Sequence, residues 1–149
     1  FSAEFFIECH KKGIHTCLDT SGSVLGENVE KLLENIDLVL LDIKYTNDED
    51  YKKYVGCSME KPIEFLSALN EKNIPTILRQ VIIPDLNGTE ETIEKLHEIA
   101  KKYPCVQKIE LLPFKKICQV KYDKLEMAFP FGHLPEPSKE IMEKLQAIL

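Results

Sequence analysis

The sequence predicts an α/β chain on a parallel sheet, in the form of a partial (β/α) TIM-like barrel with its helices outside. Three observations carry this. Helical and strand-like periodicities alternate four times along the chain, the pattern of parallel strands joined by right-handed crossovers. DLVLLDIK (37–44) is a near-continuous apolar run, expected of a parallel strand covered on both faces. No G-x-G-x-x-G turn follows any strand, and GTEE (88–91) is too weak to stand in for one, so a doubly wound dinucleotide fold loses ground to a barrel.

Each element has its own local reason. SAEFFIECHKK (2–12) places Phe5, Phe6 and Cys9 near helical spacing, with Gly13 as the stop. IHTCLD (14–19) reads as a short strand that ends in the Thr20-Ser21-Gly22 turn, with Cys17 a small core residue and His15 a satisfied core histidine. NVEKLLENI (28–36) lines up Val29, Leu32, Leu33 and Ile36 on one stripe. Residues 47–55 form a short helix closed by Gly56. KPIEFLSALNEKN (61–73) follows, with Pro62 in its first turn and Ile63, Leu66 and Leu69 inward. PTILRQVII (75–83) is the third strand, stopped by PDLNG. Thr89 caps EETIEKLHEIAKK, whose two leading glutamates suit a helix N-terminus. VQKIELL (106–112) is the fourth strand. A loop of about two dozen residues comes next, long enough to suggest a role in recognition. The last helix starts near Ser138 and carries Ile141, Met142, Leu145 and Ile148.

Length and composition bound the function. The 149 residues fit one domain, 1–149, and 44% apolar with 30% charged residues describe a globular chain with a real core. A net charge of −6 without a basic block argues against nucleic acid as a partner. No run approaches the ~20 apolar residues of a membrane span, so no membrane partner and a cytoplasmic setting are expected. Cys9, Cys17, Cys57, Cys105 and Cys118 have no iron–sulfur or zinc spacing, and reduced thiols are the default. The chain opens on Phe1 rather than Met, so it is read as part of a longer protein, with the first barrel strands missing from it.

The informative residues sit at strand ends, where α/β barrels carry their chemistry. These are Asp19-Thr20, Asp42 with Lys44, Arg79-Gln80 and Pro113-Phe114-Lys115. Side chains two apart on a strand share a face, so Asp42 and Lys44 point the same way as Leu40. Arg79, with Gln80 after it, is flanked by Leu78 and Val81, a cation in an otherwise apolar strand that needs a partner. Two readings stay open on spacing alone: structural ion pairs, or a mouth of mixed sign suited to a zwitterionic ligand.

GIHTCLDTSG (13–22), DLVLLDIK, LRQVIIPDLNG (78–88) and VQKIELLPF (106–114) follow in the order and spacing of the pyruvate formate-lyase activating enzymes, which the chain resembles over nearly its whole length. These radical S-adenosylmethionine (SAM) proteins install a glycyl radical on a partner enzyme. The resemblance implies that Lys44 and Arg79 reach SAM with Asp42 beside them. It also implies that Asp19, Thr20, Asp42 and the Leu40 backbone hold a monovalent cation next to the SAM carboxylate, hard oxygens around a hard ion. Lys115 stands where the family has a SAM-contacting histidine in a P-Y-H motif, and it brings different reach and charge. The cluster motif C-x-x-x-C-x-x-C and the G-G-E segment are absent. The [4Fe–4S] cluster is therefore expected in the full-length protein only, and this chain alone is expected to be inactive. Implied partners are a glycyl-radical enzyme, first of all pyruvate formate-lyase, and an electron donor such as flavodoxin, working anaerobically.

Two other functions compete. Barrel aldolases form Schiff bases from a strand-borne lysine, and Lys44 is the candidate, with Arg79 to supply a neighbouring positive charge. Alternatively the chain is a non-catalytic binding module that recognises protein through its long loop. An incomplete barrel also leaves sheet edges open, so self-association along one is expected.

Overall fold

The computed structural model describes residues 1–149. Four strands, β1 (Cys17–Thr20), β2 (Leu38–Asp42), β3 (Thr76–Ile82) and β4 (Val106–Pro113), lie side by side in that order, every neighbour parallel. Between and after them run α1 (Ser2–Lys11), α2 (Glu27–Leu33), α3 (Asp48–Asp50) continued by a π-helical turn at Tyr51–Val55, α4 (Glu60–Glu71), α5 (Glu90–Lys101), α6 (Gln119–Lys124) and α7 (Lys139–Gln146). The strands do not close. β1 and β4 are both edges, so the molecule is an open portion of a barrel wall.

The two faces of the sheet differ. Val39, Leu41 and Ile43 of the second strand region and Leu78 and Ile82 of β3 are fully buried beneath Leu33, Phe65, Leu66, Leu69, Ile93, Leu96 and Leu145 of the helices. That outer layer is the main core. The alternate residues Leu38, Leu40, Ile77 and Val81 are only half-buried, because no opposite wall stands across the concave face. DLVLLDIK thus has one covered face where two were expected, and its half-exposed face is the one that ends in Asp42 and Lys44.

Local chemistry sets most boundaries as anticipated. Thr89 Oγ1 accepts from the Thr92 N–H at 3.2 Å, and Ser138 Oγ from the Ile141 N–H at 3.2 Å. Asn47 caps α3 through the Asp50 N–H at 2.8 Å. Gly56 closes the π-turn with φ +83°, a left-handed conformation that glycine adopts without strain. Gly22 is required twice over. Its φ is +63°, and a Cβ there would stand 2.8 Å from Leu41 Cδ1 and 3.2 Å from Pro62 Cα.

Three expectations are corrected. Cys17 is exposed, not core: strand alternation turns it to the concave side of edge strand β1, which nothing covers. His15 is exposed as well, and the neighbouring Thr16 takes the buried position, bonded to the Asn35 carbonyl and the Asp37 carboxylate. The long loop after β4 is not structureless. It contains α6 and packs Phe114 and Leu134 against Ile83 in a small second cluster, with Phe129 and Phe131 beside it.

Candidate functional site at the strand ends

Register decides which charged groups meet. Asp42 pairs with Arg79 across β2–β3, and Arg79 with Glu110 across β3–β4, while Asp19 lies level with Leu40, one step below Asp42 on the same face. The side chains then converge. Arg79 Nε donates to Asp42 Oδ1 at 2.9 Å, and its Nη2 reaches Asp42 Oδ1 at 2.9 Å and Asp19 Oδ1 at 2.5 Å. Lys44 Nζ donates to the second Asp42 oxygen, Oδ2, at 2.5 Å. Asp42 is therefore the hub, clamped between two cations. Sequence separations of 37 and 60 residues collapse into one rim.

Exposure grades this rim. The Arg79 and Asp42 side chains are 15% and 18% exposed, Lys44 35% and Asp19 62%. Burial alone would push the Arg79 guanidinium toward losing its proton, but the hydrogen bonds to Asp19 and Asp42 outweigh it and hold the charge more firmly than usual. The Cys17 thiol beside this rim, though the residue is exposed, is pushed up by partial loss of solvent around the sulfur and by the Asp19 charge, against a smaller opposing pull from Arg79.

Two acids and two bases sum to zero charge, yet the donors are not exhausted. Within the chain Arg79 spends its Nε and Nη2, and Lys44 one of three ammonium hydrogens. The remaining donors can take an incoming carboxylate, while the Asp19 and Asp42 oxygens can take an ammonium. The arrangement suits an amino-acid-like group better than a simple anion or cation. The Lys44 ammonium is tied to a carboxylate rather than free for attack on a carbonyl, so nothing in this geometry favours the Schiff-base chemistry.

The other anticipated residues are placed differently. Alternation puts the Thr20 side chain on the face shared with Leu18 and Leu41, and its Oγ1 accepts from the Gly22 N–H at 3.1 Å. Leu40 stands level with Asp19 on the concave face. Lys115, just past β4, is outside the ionic network: its Nζ donates to Glu136 Oε2 at 2.9 Å, and the Lys116 N–H donates to Glu136 Oε1 at 3.0 Å. No three His, Cys, Asp or Glu side chains are grouped to hold a metal ion, and all five cysteines are free.

Sequence reasoning missed several residues around the rim. Glu110 lies opposite Arg79 and is bonded by Lys108 at 2.6 Å. Tyr51 and Asn87 bond the main chain of Lys44. The alternation of β4 signals Glu110. Asn87 reads locally as a turn residue, and Tyr51 as part of a short helix.

Comparison with known proteins places this geometry. The Radical SAM superfamily family model matches residues 1–101. The chain is 36% identical to the pyruvate formate-lyase 1-activating enzyme of Escherichia coli strain K12 over 151 aligned residues, 100% of this chain and 61% of that protein. It is 37% identical to the pyruvate formate-lyase-activating enzyme of Clostridium pasteurianum, covering 98% of this chain and 63% of the relative. The chain thus spans about three fifths of the length of these curated relatives, 61% and 63%. Its fold is similar to a domain of a pyruvate-formate lyase-activating enzyme from Bacteroides vulgatus, with TM-score 0.78 at 22% identity over 99% of this chain and 82% of that one. Streptococcus suis SuiB bound to S-adenosylmethionine superposes with TM-score 0.75 at 11% identity, over 97% of this chain and 31% of the other. Superfamily membership implies SAM and a [4Fe–4S] cluster as cofactors, and this chain lacks grouped cluster ligands. A parallel open-barrel wall with acids and cations at its strand ends, matched by the family model over two thirds of its length, is thus a radical SAM domain, and the chain belongs to the Radical SAM superfamily.

Proposed function

We propose that residues 1–149, read as one domain, form the SAM-holding portion of an activating enzyme that generates a glycyl radical on a protein partner. The observation that carries this reading is the Asp19–Arg79–Asp42–Lys44 network on one concave rim, in a chain 36% identical to a pyruvate formate-lyase 1-activating enzyme. Arg79 and Lys44 take the SAM carboxylate and Asp42 orients both cations. The Asp19 and Asp42 carboxylates, with the main-chain carbonyls of Thr20 and Leu40, form the monovalent-cation site beside it, since the Thr20 hydroxyl lies on the other face. When bound, SAM supplies radical chemistry through one-electron cleavage at its sulfonium.

The cluster is a different case. The free cysteines here do not fit it, so no step through it is assigned to these residues. Lys115 completes the SAM contacts only by leaving Glu136, an exposed pair that costs little to break. The partner is a glycyl-radical enzyme, with pyruvate formate-lyase the first choice on the names of the curated relatives. An electron donor of the flavodoxin kind and a cytoplasmic setting belong to the same proposal. No helix is long and apolar enough to cross a membrane.

Calorimetry with SAM on the full-length protein tests the site. Lys44→Ala and Arg79→Ala should each weaken binding by about tenfold or more, the effect of losing a charge-assisted hydrogen bond. Unchanged affinity in both variants would remove the assignment. The open edges of β1 and β4 further support self-association of residues 1–149 along one of them. Light scattering should show a dimer at high concentration; a clean monomer speaks against it.

A further inference from the structure

Lys44 poses a problem that the ionic rim does not solve. β1 ends at Thr20 and β2 at Asp42, and the last ladder bond from this strand is the Ile43 N–H to the Arg79 carbonyl at 2.9 Å. The Lys44 main chain therefore has no strand partner, and it forms no backbone–backbone hydrogen bond. An unpartnered peptide at a strand exit swings freely, and its side chain loses any fixed reach.

Three side chains from outside the rim replace the missing strand. The Lys44 N–H donates to Tyr51 Oη at 3.0 Å. The Lys44 carbonyl accepts from Asn87 Nδ2 at 3.2 Å and, at the long end, from Gln80 Nε2 at 3.4 Å. All three are buried, at 2%, 2% and 1% exposure respectively. Asn87 also fixes the third strand's exit: its Nδ2 donates to the Val81 carbonyl at 2.9 Å, and its Oδ1 accepts from the Ile83 N–H at 2.7 Å. One amide thus staples the exits of β2 and β3 together. Gln80 keeps a buried Oε1 without any partner, a standing cost that an apolar residue of the same size would avoid. Its amide is explained by the Lys44 carbonyl it serves.

We infer that Tyr51, Asn87 and Gln80 are positioning residues that lock the Lys44 main chain so that its ammonium is presented to the ligand carboxylate rather than left mobile. The inference rests on the reading of Lys44 as a SAM contact. All three are buried beneath the rim and bond the Lys44 main chain rather than its ammonium. They act through Lys44, which makes the claim separable from a general role in stability.

Tyr51→Phe is the clean perturbation, since it removes only the Oη that receives the Lys44 N–H and keeps the ring in its buried place. The test is a double-variant cycle on the full-length protein, with SAM affinity by calorimetry for the parent, Tyr51→Phe, Lys44→Ala and both together. Tyr51→Phe alone should weaken SAM about three- to tenfold, the value of one hydrogen bond. In the Lys44→Ala background it should cost nothing further, because the side chain it positions is gone. A Tyr51→Phe effect of equal size in both backgrounds, or no effect in the parent, overturns the inference. If Lys44→Ala leaves affinity unchanged, the reading of Lys44 itself has failed, which is a distinct result. Asn87→Ala gives the second line. Its loss of affinity should likewise disappear in the Lys44→Ala background, and persistence there overturns the inference for Asn87.

Discussion

Replacing Arg79 by Met removes the partly buried cation and leaves its partners behind. Two contacts to Asp42 at 2.9 Å join side chains 15% and 18% exposed, and a hydrogen bond to a charged group at such a site contributes roughly 1.5–3 kcal/mol. The Asp19 contact counts for little, since that carboxylate is 62% exposed and finds water when released. Asp42 keeps Lys44 at 2.5 Å, so it is not fully orphaned, and the cost stays below the ~3–5 kcal/mol of a buried charge left alone. The expected destabilisation is therefore about 2–3 kcal/mol, read from urea unfolding followed by circular dichroism. Adding Asp42→Leu removes the stranded acid and sets an apolar side chain beside Leu40, while Lys44, 35% exposed, turns to solvent. The double variant should recover to within about 1 kcal/mol of the parent, because apolar replacement of a buried ion pair is often neutral. It should nevertheless fail to bind SAM. An Arg79→Met cost under about 0.5 kcal/mol, or a double variant no more stable than the single one, would refute the reading of Arg79 and Asp42 as a coupled, partly buried ion pair.

Two further outcomes follow from local geometry. Gly22→Ala should cost about 2–4 kcal/mol, because a side chain at φ +63° meets Leu41 and the Pro62 backbone; an unfolding midpoint equal to the parent's would contradict this. The Asp48 carboxyl is held down to about 2 by Lys52, with the Met59 N–H and Ser58 hydroxyl also bonded to it, against an ordinary 3.8. Its contribution is fully present above about pH 4 and is lost as pH falls toward 2, since the folded state binds the proton less readily than the unfolded chain. Thermal midpoints of Asp48→Asn should consequently fall less steeply than the parent's across that window, and parallel profiles would rule the linkage out.

The elements themselves were legible because their causes are local. Thr89 caps the helix it was expected to cap, the last helix starts at Ser138 as expected, and Gly56 and Pro62 stand at the end and the start they were assigned. The exposure of Cys17 and His15 was not legible. A strand's two faces look alike in sequence until it is known which face has a layer over it, and β1 is an edge whose concave side is open. Lys115 shows the same limit, since its Glu136 partner lies 21 residues away across a loop whose path the sequence leaves open.

The sequence by itself determined the α/β class, the position of Asp19, Asp42 and Lys44 at strand ends, and the common face of Asp42 and Lys44. Arg79, expected at a strand end, lies instead in the middle of β3 and meets them because β2 stops level with it. Only the tertiary structure decided that Arg79 bridges two acids and that Tyr51, Gln80 and Asn87 hold the Lys44 peptide. The physical reason is register. Which side chains meet across 37 or 60 residues depends on how neighbouring strands slide against each other, and packing of the covered face sets that slide.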